Sequence, residues 1–185
     1  MPEVKNKSSL GDPVFSISNK LVRVLWAFVY NIFFRFSPTP FFAYRRFILR
    51  IFGAEIGSKT NIYPTVKVWL PSNLSMSEGS SLGPNVNIYN QGKITIGERV
   101  IISQGAYLCA STHDYNNPVH PLVLSPITIA NNCWVCADAF IGPNASLAEG
   151  SVVGARAVMN KNTDSWGVYA GNPAKKVNER KRFNQ

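Results

Sequence analysis

Histidine, cysteine and acidic residues are scarce in this chain of 185 residues. It has two histidines, three cysteines and 10 acidic residues against 19 basic ones. So few cysteines, and an odd number of them, argue against a disulfide framework, and we expect free thiols in a reducing cytosol. The net charge of +9 fits an anionic partner such as nucleic acid, a membrane surface or a phosphorylated ligand. No recognised nucleic-acid motif surrounds the basic clusters, so we do not expect nucleic-acid binding.

Long uninterrupted apolar runs are absent as well. The opening MPEVKNKSSLGDP lacks the apolar core of a signal peptide. Residues 21–52, LVRVLWAFVYNIFFRFSPTPFFAYRRFILRIF, are rich in aromatic side chains, but charged and polar residues interrupt their first half. That half is too short for a membrane-spanning helix. Pro38 and Pro40 break the segment, which predicts two helical stretches around a kink.

The second of these stretches combines a basic stripe with aromatic and aliphatic residues. Its basic residues are Arg45, Arg46 and Arg50. This composition suits a helix that lies in the interface of an anionic membrane. Alternatively, the helices cap the open end of the fold that follows, which is the interpretation we favour. One segment could serve both purposes.

From Ile56 onward, aliphatic residues recur at every sixth position. The most regular series is Ile129, Val135, Ile141, Leu147, Val153 and Met159. Four positions after each lies a small residue: Cys133, Ala139, Ala145, Ser151, Ala157 and Thr163. The same phase holds for Ile96, Ile102 and Leu108 with Val100, Ala106 and Thr112, and again from Ile56 to Ser72. A period of six predicts a short strand and a turn repeated three times per coil, which is a parallel β-helix with the aliphatic residues inside.

The hexad phase also predicts where the two cysteines of a CxxC pair lie. It places Cys133 in a small inward position and Cys136 at a turn. Neither a second CxxC nor a nearby histidine completes a zinc site, so we interpret both as packing residues.

The hexad pattern loses its phase at a few points. It slips between Leu74 and Leu82 and between Lys93 and Ile96, and it breaks fully over residues 114–128. Loops inserted into a repeat array gather on one face, where function is usually placed.

Both histidines flank or lie within this insertion. We interpret His113 as the last residue of a regular hexad and as a candidate general base at the root of the loop. A loop histidine without a role and a zinc site are the alternatives, and zinc is disfavoured because a third histidine is missing. His120 lies further into the loop, where it either lines a cleft or is simply exposed.

These patterns divide the chain into four parts. We expect a leader (1–20), a helical cap or membrane-surface segment (21–55), a β-helix (56–170) with an inserted loop (114–128), and a tail (171–185). The fold class is all-β, with an N-terminal helical segment and a short C-terminal helix formed by the tail.

Three segments carry a family resemblance: SQGAYLCASTHDY, PITIANNCWVCADAFIGPNASLAEGSVVGARAVM and GVYAGNPAKKV. They resemble the hexapeptide-repeat acetyltransferases that act on sugars, nearest to the colanic-acid and exopolysaccharide O-acetyltransferase branch. The resemblance implies a left-handed β-helix, a homotrimer with shared sites, acetyl-CoA as co-substrate and no metal.

The resemblance also implies roles for individual residues. A histidine at the position of His113 deprotonates the acceptor hydroxyl, which attacks acetyl-CoA without an acyl-enzyme. Cys109 is a conceivable nucleophile, but its strand position favours packing. Trp134 matches a tryptophan that borders the acceptor and thioester region, and the turn asparagines Asn85, Asn87 and Asn90 are candidates for acceptor binding. The implied CoA contacts are Ala137, Gly154, Ala155, Lys161 and Lys175.

The expected function is acetyl-CoA-dependent O-acetylation of a sugar in exopolysaccharide, capsule or lipopolysaccharide biosynthesis. We expect a cytoplasmic protein, with a lipid-linked acceptor at the inner membrane face and peripheral membrane contact through residues 21–52. An N-acyltransferase acting on an amino sugar is the first alternative, since an amine acceptor needs the same base. A non-catalytic β-helix scaffold is the second.

Overall fold

The computed structural model describes residues 14–183 and the backbone of residues 3–5. The helical elements are α1 (Ile17–Val29), a π-helical turn (Tyr30–Phe34), α2 (Phe42–Ile51) and a 3₁₀ turn (Pro71–Asn73). The strands are β1 (Glu3–Lys5), β2 (Glu55–Ile56), β3 (Asn61–Ile62), β4 (Lys67–Val68), β5 (Leu74–Met76), β6 (Ser81–Leu82), β7 (Asn87–Tyr89), β8 (Ile94–Ile96), β9 (Ile101–Ile102), β10 (Tyr107–Cys109), β11 (Ser111–His113), β12 (Leu122–Leu124), β13 (Ile127–Ile129), β14 (Trp134–Val135), β15 (Phe140–Ile141), β16 (Ser146–Leu147), β17 (Val152–Val153), β18 (Val158–Met159), β19 (Gly167–Ala170) and β20 (Lys175–Glu179).

Three sheets of parallel strands form the walls of a β-helix. The first face contains β2, β5, β8, β13 and β16, and the third contains β4, β7, β10, β15 and β18. The second face contains β3, β6, β9, β14, β17 and β19, with β20 added antiparallel at its end. The chain visits the faces in this order in each coil, so the predicted parallel β-helix is confirmed.

The hexad residues form the core of this β-helix. All six aliphatic residues of the most regular series, from Ile129 to Met159, are buried, as are the six small residues that follow them. Each inward residue lies beside its equivalent in the next coil, as Ile129 does beside Leu147 and Val135 beside Val153. These contacts exclude water along the whole interior, which is the main stabilising contribution in a stack of short strands.

The phase slips have a structural cause in the first face. Ile56 lies beside Met76 and Met76 beside Ile96, a spacing of twenty residues, whereas Ile129 and Leu147 are eighteen apart. In the longer coils the first face carries two inward residues per strand, such as Leu74 and Met76, which are both buried. The two extra residues therefore widen one wall without disturbing the other two.

The N-terminal helices lie against the first coil of the β-helix and donate hydrogen bonds to it. In a parallel sheet the carbonyl groups of the first coil have no strand below them and need other donors. The Arg50 guanidinium donates to the Ile56 carbonyl at 2.9 Å, Arg45 donates to the Ile62 carbonyl, and the Trp26 indole donates to the Val68 carbonyl at 2.7 Å. One carbonyl on each face of the first coil is thus satisfied by a side chain of the N-terminal helices.

The suggested lipid-facing role is wrong for Arg45. Half-buried Arg46 and exposed Arg50 also donate to carbonyl groups of the first coil. Arg45 is fully buried and also donates to the carbonyls of Pro38 and Thr39 and to the hydroxyl of Ser37. The predicted kink is confirmed, since the π-helical turn and the proline segment separate α1 from α2. Among the described residues, no helix has the length and hydrophobicity needed to cross a membrane.

The two ends of the chain differ from expectation. Helix α1 begins at Ile17, where the Ser16 hydroxyl accepts from the Asn19 amide, and not at residue 21. Of the expected leader, residues 1–2 and 6–13 lie outside the described part. The predicted C-terminal helix is wrong, because Lys175–Glu179 forms β20 against β19. The free edge of the second face offers hydrogen-bond partners that outweigh any local helical tendency of the tail.

Candidate functional site

The insertion is a β-hairpin that leaves the β-helix between its third and first faces. Strand β11 follows β10 after a single residue, pairs antiparallel with β12, and returns to the first face at β13. The insertion therefore begins at Ser111, and the sequence-based bounds 114–128 are wrong at both ends. Thr112 is exposed because it lies on β11, outside the coils. For the same reason His113 is not the last residue of a coil.

His113 ends β11 with an exposed side chain that is held by the hairpin. Its Nδ1 atom lies 2.8 Å from the carbonyl oxygen of His120. A carbonyl only accepts hydrogen bonds, so this contact requires that Nδ1 carries the proton. The neutral imidazole then has its lone pair on Nε2, which is the arrangement that a general base needs.

Backbone hydrogen bonds fix the turn that supplies this carbonyl. The Asp114 amide donates to the Pro121 carbonyl at 3.1 Å, and the His120 amide donates to Asn117 at 2.9 Å. His120 has a φ of 43°, in the left-handed region, and this conformation belongs to the turn that presents its carbonyl to His113. The His120 side chain itself is exposed. The second histidine therefore contacts the first through its backbone.

Trp134 lies on the outer surface of the second face, where its side chain is 43% exposed. Its indole nitrogen donates to the Ser103 hydroxyl at 2.9 Å, which fixes the orientation of the ring. The ring borders a cavity of about 550 Å³, which is also lined by Arg99, Ile101, Asn132, Cys133, Arg180 and Phe183. A concave aromatic surface of this size can accept part of a ligand.

Neither Ser103, which holds the Trp134 ring, nor Arg180, which lines the cavity, was predicted from the sequence. Ser103 lies 31 positions before Trp134. The insertion lengthens the sequence between their adjacent coils, so the hexad spacing does not show that the two residues are neighbours. Arg180 donates to the Asn132 carbonyl at 2.8 Å and lies 4.7 Å from the centre of the Phe183 ring. Its location depends on the tail folding back along the second face, which a predicted helix would not do.

One copy of the chain does not bring His113 and Trp134 together. The hairpin leaves the corner between the third and first faces, whereas Trp134 lies on the second face, which is the wall opposite that corner. The two residues can therefore belong to one site only if a second copy of the chain completes it.

The three candidate asparagines occupy different environments. Asn90 is wrong as an acceptor ligand, because it is fully buried and its amide is occupied by the backbone. It accepts from the amides of Trp69 and Leu70 at 3.1 Å and donates to the Leu70 carbonyl at 2.7 Å. Asn85 is exposed at the corner between the second and third faces, with a φ of 60°. Asn87 lies on β7, with its side chain partly exposed on the third face.

Most of the candidate CoA contacts gather at one corner. Ala137, Gly154 and Ala155 follow strands of the second face, and the Arg156 amide donates to the Ala137 carbonyl at 2.9 Å across this corner. Lys175 pairs with Ala170, whose side chain is close to Gly154. These candidates therefore share a surface.

Lys161 does not share that surface in one copy of the chain. It follows β18, at the corner between the third and first faces, and is exposed. This is the corner from which the hairpin leaves, further along the β-helix.

Comparison with known proteins shows which family the chain belongs to. The chain is 37% identical over 166 residues to WcaF of Escherichia coli (strain K12), a protein named for colanic acid biosynthesis and acetyltransferase activity. The match covers 90% of this chain and 91% of that protein. The chain belongs to the WcaF family of acetyltransferases. The resemblance drawn from the sequence is confirmed. No model of a known protein family matches the chain.

Solved structures similar to this WcaF-family acetyltransferase share its fold. A maltose O-acetyltransferase from Clostridium difficile 630 has a TM-score of 0.82 at 19% identity, with 90% of each chain covered. The hexapeptide-repeat acetyltransferase VCA0836 from Vibrio cholerae O1 biovar eltor, in complex with acetyl-CoA, has a TM-score of 0.81 at 19% identity, with 90% and 91% covered. At this identity the likeness establishes the β-helix.

The thiols of this WcaF-family protein are engaged in packing. Burial raises the pKa of Cys133, whose sulfur lies 3.1 Å from the Ala148 carbonyl and 3.4 Å from the Ser151 hydroxyl. Burial also raises the pKa of Cys136. Half-buried Cys109 donates to the Ser111 carbonyl at 3.3 Å. Within residues 14–183, no group of three potential metal-binding side chains is close enough to hold an ion.

Proposed function

We propose that this protein transfers the acetyl group of acetyl-CoA to a sugar hydroxyl during exopolysaccharide, capsule or lipopolysaccharide biosynthesis. Its 37% identity to a protein named for colanic acid biosynthesis supports the pathway class. Acetyl-CoA bound to a protein of the same fold supports the donor. The observation that carries the chemistry is the contact between His113 Nδ1 and the His120 carbonyl, which leaves Nε2 free to accept a proton.

In the proposed mechanism, His113 transfers one proton in each direction. Nε2 takes the proton of the acceptor hydroxyl as the hydroxyl oxygen attacks the thioester carbon. The carbon–sulfur bond then breaks, and the departing thiolate takes the proton back from Nε2. While the imidazole is positively charged, its Nδ1–H donates to the His120 carbonyl, which stabilises the cation. The reaction yields the sugar acetate and CoA without an acyl-enzyme.

The separation of His113 from Trp134 supports a homotrimer with a site between neighbouring copies. One copy supplies the His113 hairpin, and its neighbour supplies the second face with Trp134 beside the thioester. The corner of Ala137, Gly154 and Ala155 supplies backbone groups to CoA. Lys161 and Lys175 are candidates for its 3′-phosphate because an ammonium group pairs with phosphate. Asn85 and Asn87 remain candidates for the acceptor hydroxyl groups.

Replacing His113 by alanine tests the catalytic role. We expect kcat to fall by about 10²- to 10⁴-fold, which is the usual contribution of a general base. Thiol release from acetyl-CoA measures turnover, while calorimetry measures CoA binding and sedimentation measures the assembly state. CoA affinity and assembly should be unchanged in His113→Ala. Turnover near the wild-type rate would refute the assignment, and absence of CoA binding by the wild type would favour a scaffold.

A panel of sugar acceptors identifies the substrate class. The panel contains neutral sugars and amino sugars, and product mass locates the added acetyl group. An ester is removed by mild alkali whereas an amide survives, so this treatment distinguishes O-acetylation from N-acetylation. We expect an alkali-labile product. We also propose that the acceptor is lipid-linked at the inner face of the cytoplasmic membrane.

A further inference from the structure

The outward surface of α1 and α2, with the turns between them, is apolar. Most of the strongly exposed large apolar side chains in the described residues lie here: Ile17, Leu21, Val22, Val24, Leu25, Phe28, Ile32, Phe33, Phe36, Phe41, Tyr44, Phe47 and Ile51. Val24, Phe36, Phe47 and Ile51 each expose more than 60% of their surface. We call this surface the cap face. Apolar patches of such extent mark sites of interaction with another molecule.

Residues 14–54, which form the cap face, carry charges of one sign only. No aspartate or glutamate occurs between Val14 and Ala54. The arginines of α2 donate to carbonyl groups of the first coil, whereas Lys20 and Arg35 on the other helical segment are exposed. The cap face therefore combines apolar side chains with positive charge, and its own segment supplies no carboxylate.

A cationic cleft opens beside α1, where the helix meets the first coil. Its volume is about 570 Å³, and its lining includes Lys20, Arg23, Lys67, Tyr30 and Trp69. The Arg23 guanidinium stacks on the Trp69 ring at 3.9 Å, which holds it in position. No carboxylate is among the described residues that line the cleft. Cations on an aromatic wall suit a phosphate group better than a neutral ligand.

We infer that the cap face lies on an anionic lipid bilayer, with lipid phosphate in the cationic cleft. The apolar side chains enter the boundary between headgroups and acyl chains, and Lys20 and Arg35 face the anionic headgroups. A second copy of the chain fits this surface less well. An isologous contact would bring the cations of both copies together with no acidic partner on the cap face.

This arrangement differs from the one that the sequence suggested. The arginines of α2 hold the cap to the β-helix, and side chains on the opposite surface of the same helices face the lipid. The inference is independent of the chemistry at His113, because the cap face lies at one end of the β-helix. It adds a binding surface that the proposed O-acetylation does not require.

Flotation of the full-length protein with vesicles tests this inference. One set of vesicles contains phosphatidylglycerol and phosphatidylcholine, and the other contains phosphatidylcholine alone. We expect at least about tenfold stronger binding to the anionic vesicles, since each cation near the surface is attracted to the anionic headgroups. High salt should weaken this binding by screening.

Two pairs of variants locate the surface. Phe36→Ser with Phe47→Ser should reduce binding by about tenfold or more, whereas Val177→Ser, another exposed apolar residue on β20, should not. Lys20→Glu with Arg35→Glu should reduce binding by about tenfold or more. Lys181→Glu with Arg182→Glu makes the same change in net charge on the exposed tail and should have much less effect. Thermal unfolding of each variant checks that the fold is retained.

Other outcomes overturn the inference. If the cap variants float as well as the wild type, the cap face does not contact lipid. If the wild type stays with the soluble fraction but forms a larger assembly that Phe36→Ser with Phe47→Ser dissociates, the face joins copies of the chain. Flotation requires neither CoA nor acceptor, so His113→Ala should float like the wild type. A failure of the membrane inference is thereby distinguished from a failure of the proposed reaction.

Discussion

Two substitutions at His120 should separate the role of its backbone from that of its side chain. The His120 carbonyl accepts from His113 Nδ1 at 2.8 Å, and the residue reaches this position with a φ of 43°. Glycine adopts positive φ without steric cost, whereas a β-branched residue strongly resists it. His120→Gly therefore preserves the carbonyl position and removes the imidazole. His120→Val removes the imidazole as well but displaces the carbonyl.

The magnitude follows from the single contact that is lost. Left-handed backbone costs an L-residue about 1–2 kcal/mol, so the valine variant has reason to leave this conformation. A hydrogen bond of this kind contributes about 0.5–1.5 kcal/mol. If the catalytic tautomer of His113 depends on this bond, the barrier rises by a similar amount, and kcat of His120→Val falls by about two- to tenfold. His120→Gly should keep the wild-type kcat.

The assay is the initial rate of thiol release at saturating acetyl-CoA, for both variants and the wild type. Thermal unfolding shows whether the hairpin variants remain folded. If His120→Gly loses as much activity as His120→Val, the imidazole itself contributes and the backbone explanation fails. If neither loses activity, the tautomer of His113 does not depend on this carbonyl.

Four further substitutions test how the scaffold is held together. Arg45→Met should lower the free energy of unfolding by about 3–5 kcal/mol in urea titrations, because it leaves several buried carbonyl groups without a donor. Arg46→Met removes one hydrogen bond to the Thr60 carbonyl and should lower it by about 1 kcal/mol. Equal losses in the two variants would contradict the view that Arg45 holds the helices to the first coil. Asn90→Ala should cost about 2–4 kcal/mol without changing the KM for the acceptor, and a raised KM would restore Asn90 as a ligand. Burial raises the pKa of Cys133 above its ordinary 9.0, so the folded protein keeps the thiol proton to a higher pH than the unfolded chain does. Stability should then fall as the pH rises above about 9; Cys133→Ala should flatten that fall, and an unchanged slope would exclude this thiol as its cause.

The regular part of the fold was predictable because each hexad position has one physical role. An aliphatic side chain fills the interior, and a small residue four positions later allows the backbone to turn, so Ile129 through Met159 could be assigned to the core from spacing alone. The tail was not predictable in this way. Lys175–Glu179 forms β20 only because β19 presents a free edge, and such an edge exists only in the folded molecule.

The candidate site was predictable to the extent that it interrupts the repeat. The insertion indicated His113 as a candidate site residue. The hexad phase alone could not show that β11 lies outside the coils. The prediction for Asn90 was wrong for a related reason, since the sequence pattern of a turn asparagine is the same whether its amide faces solvent or the backbone. The prediction for Arg45 of α2 was wrong because the sequence shows which residues share a helix face but not which face packs against the rest of the protein.

The hairpin that carries His113 is tied to the neighbouring coil at Ala110. This carbonyl, at the root of the hairpin, accepts from the Ser125 amide at 3.0 Å and from the Gly92 amide at 3.2 Å. A Cβ atom on Gly92 would lie 2.5 Å from the Ala110 oxygen, so the coil below must carry glycine at this point. The root of the hairpin is therefore held both by the residue that follows β12 and by the coil beneath it.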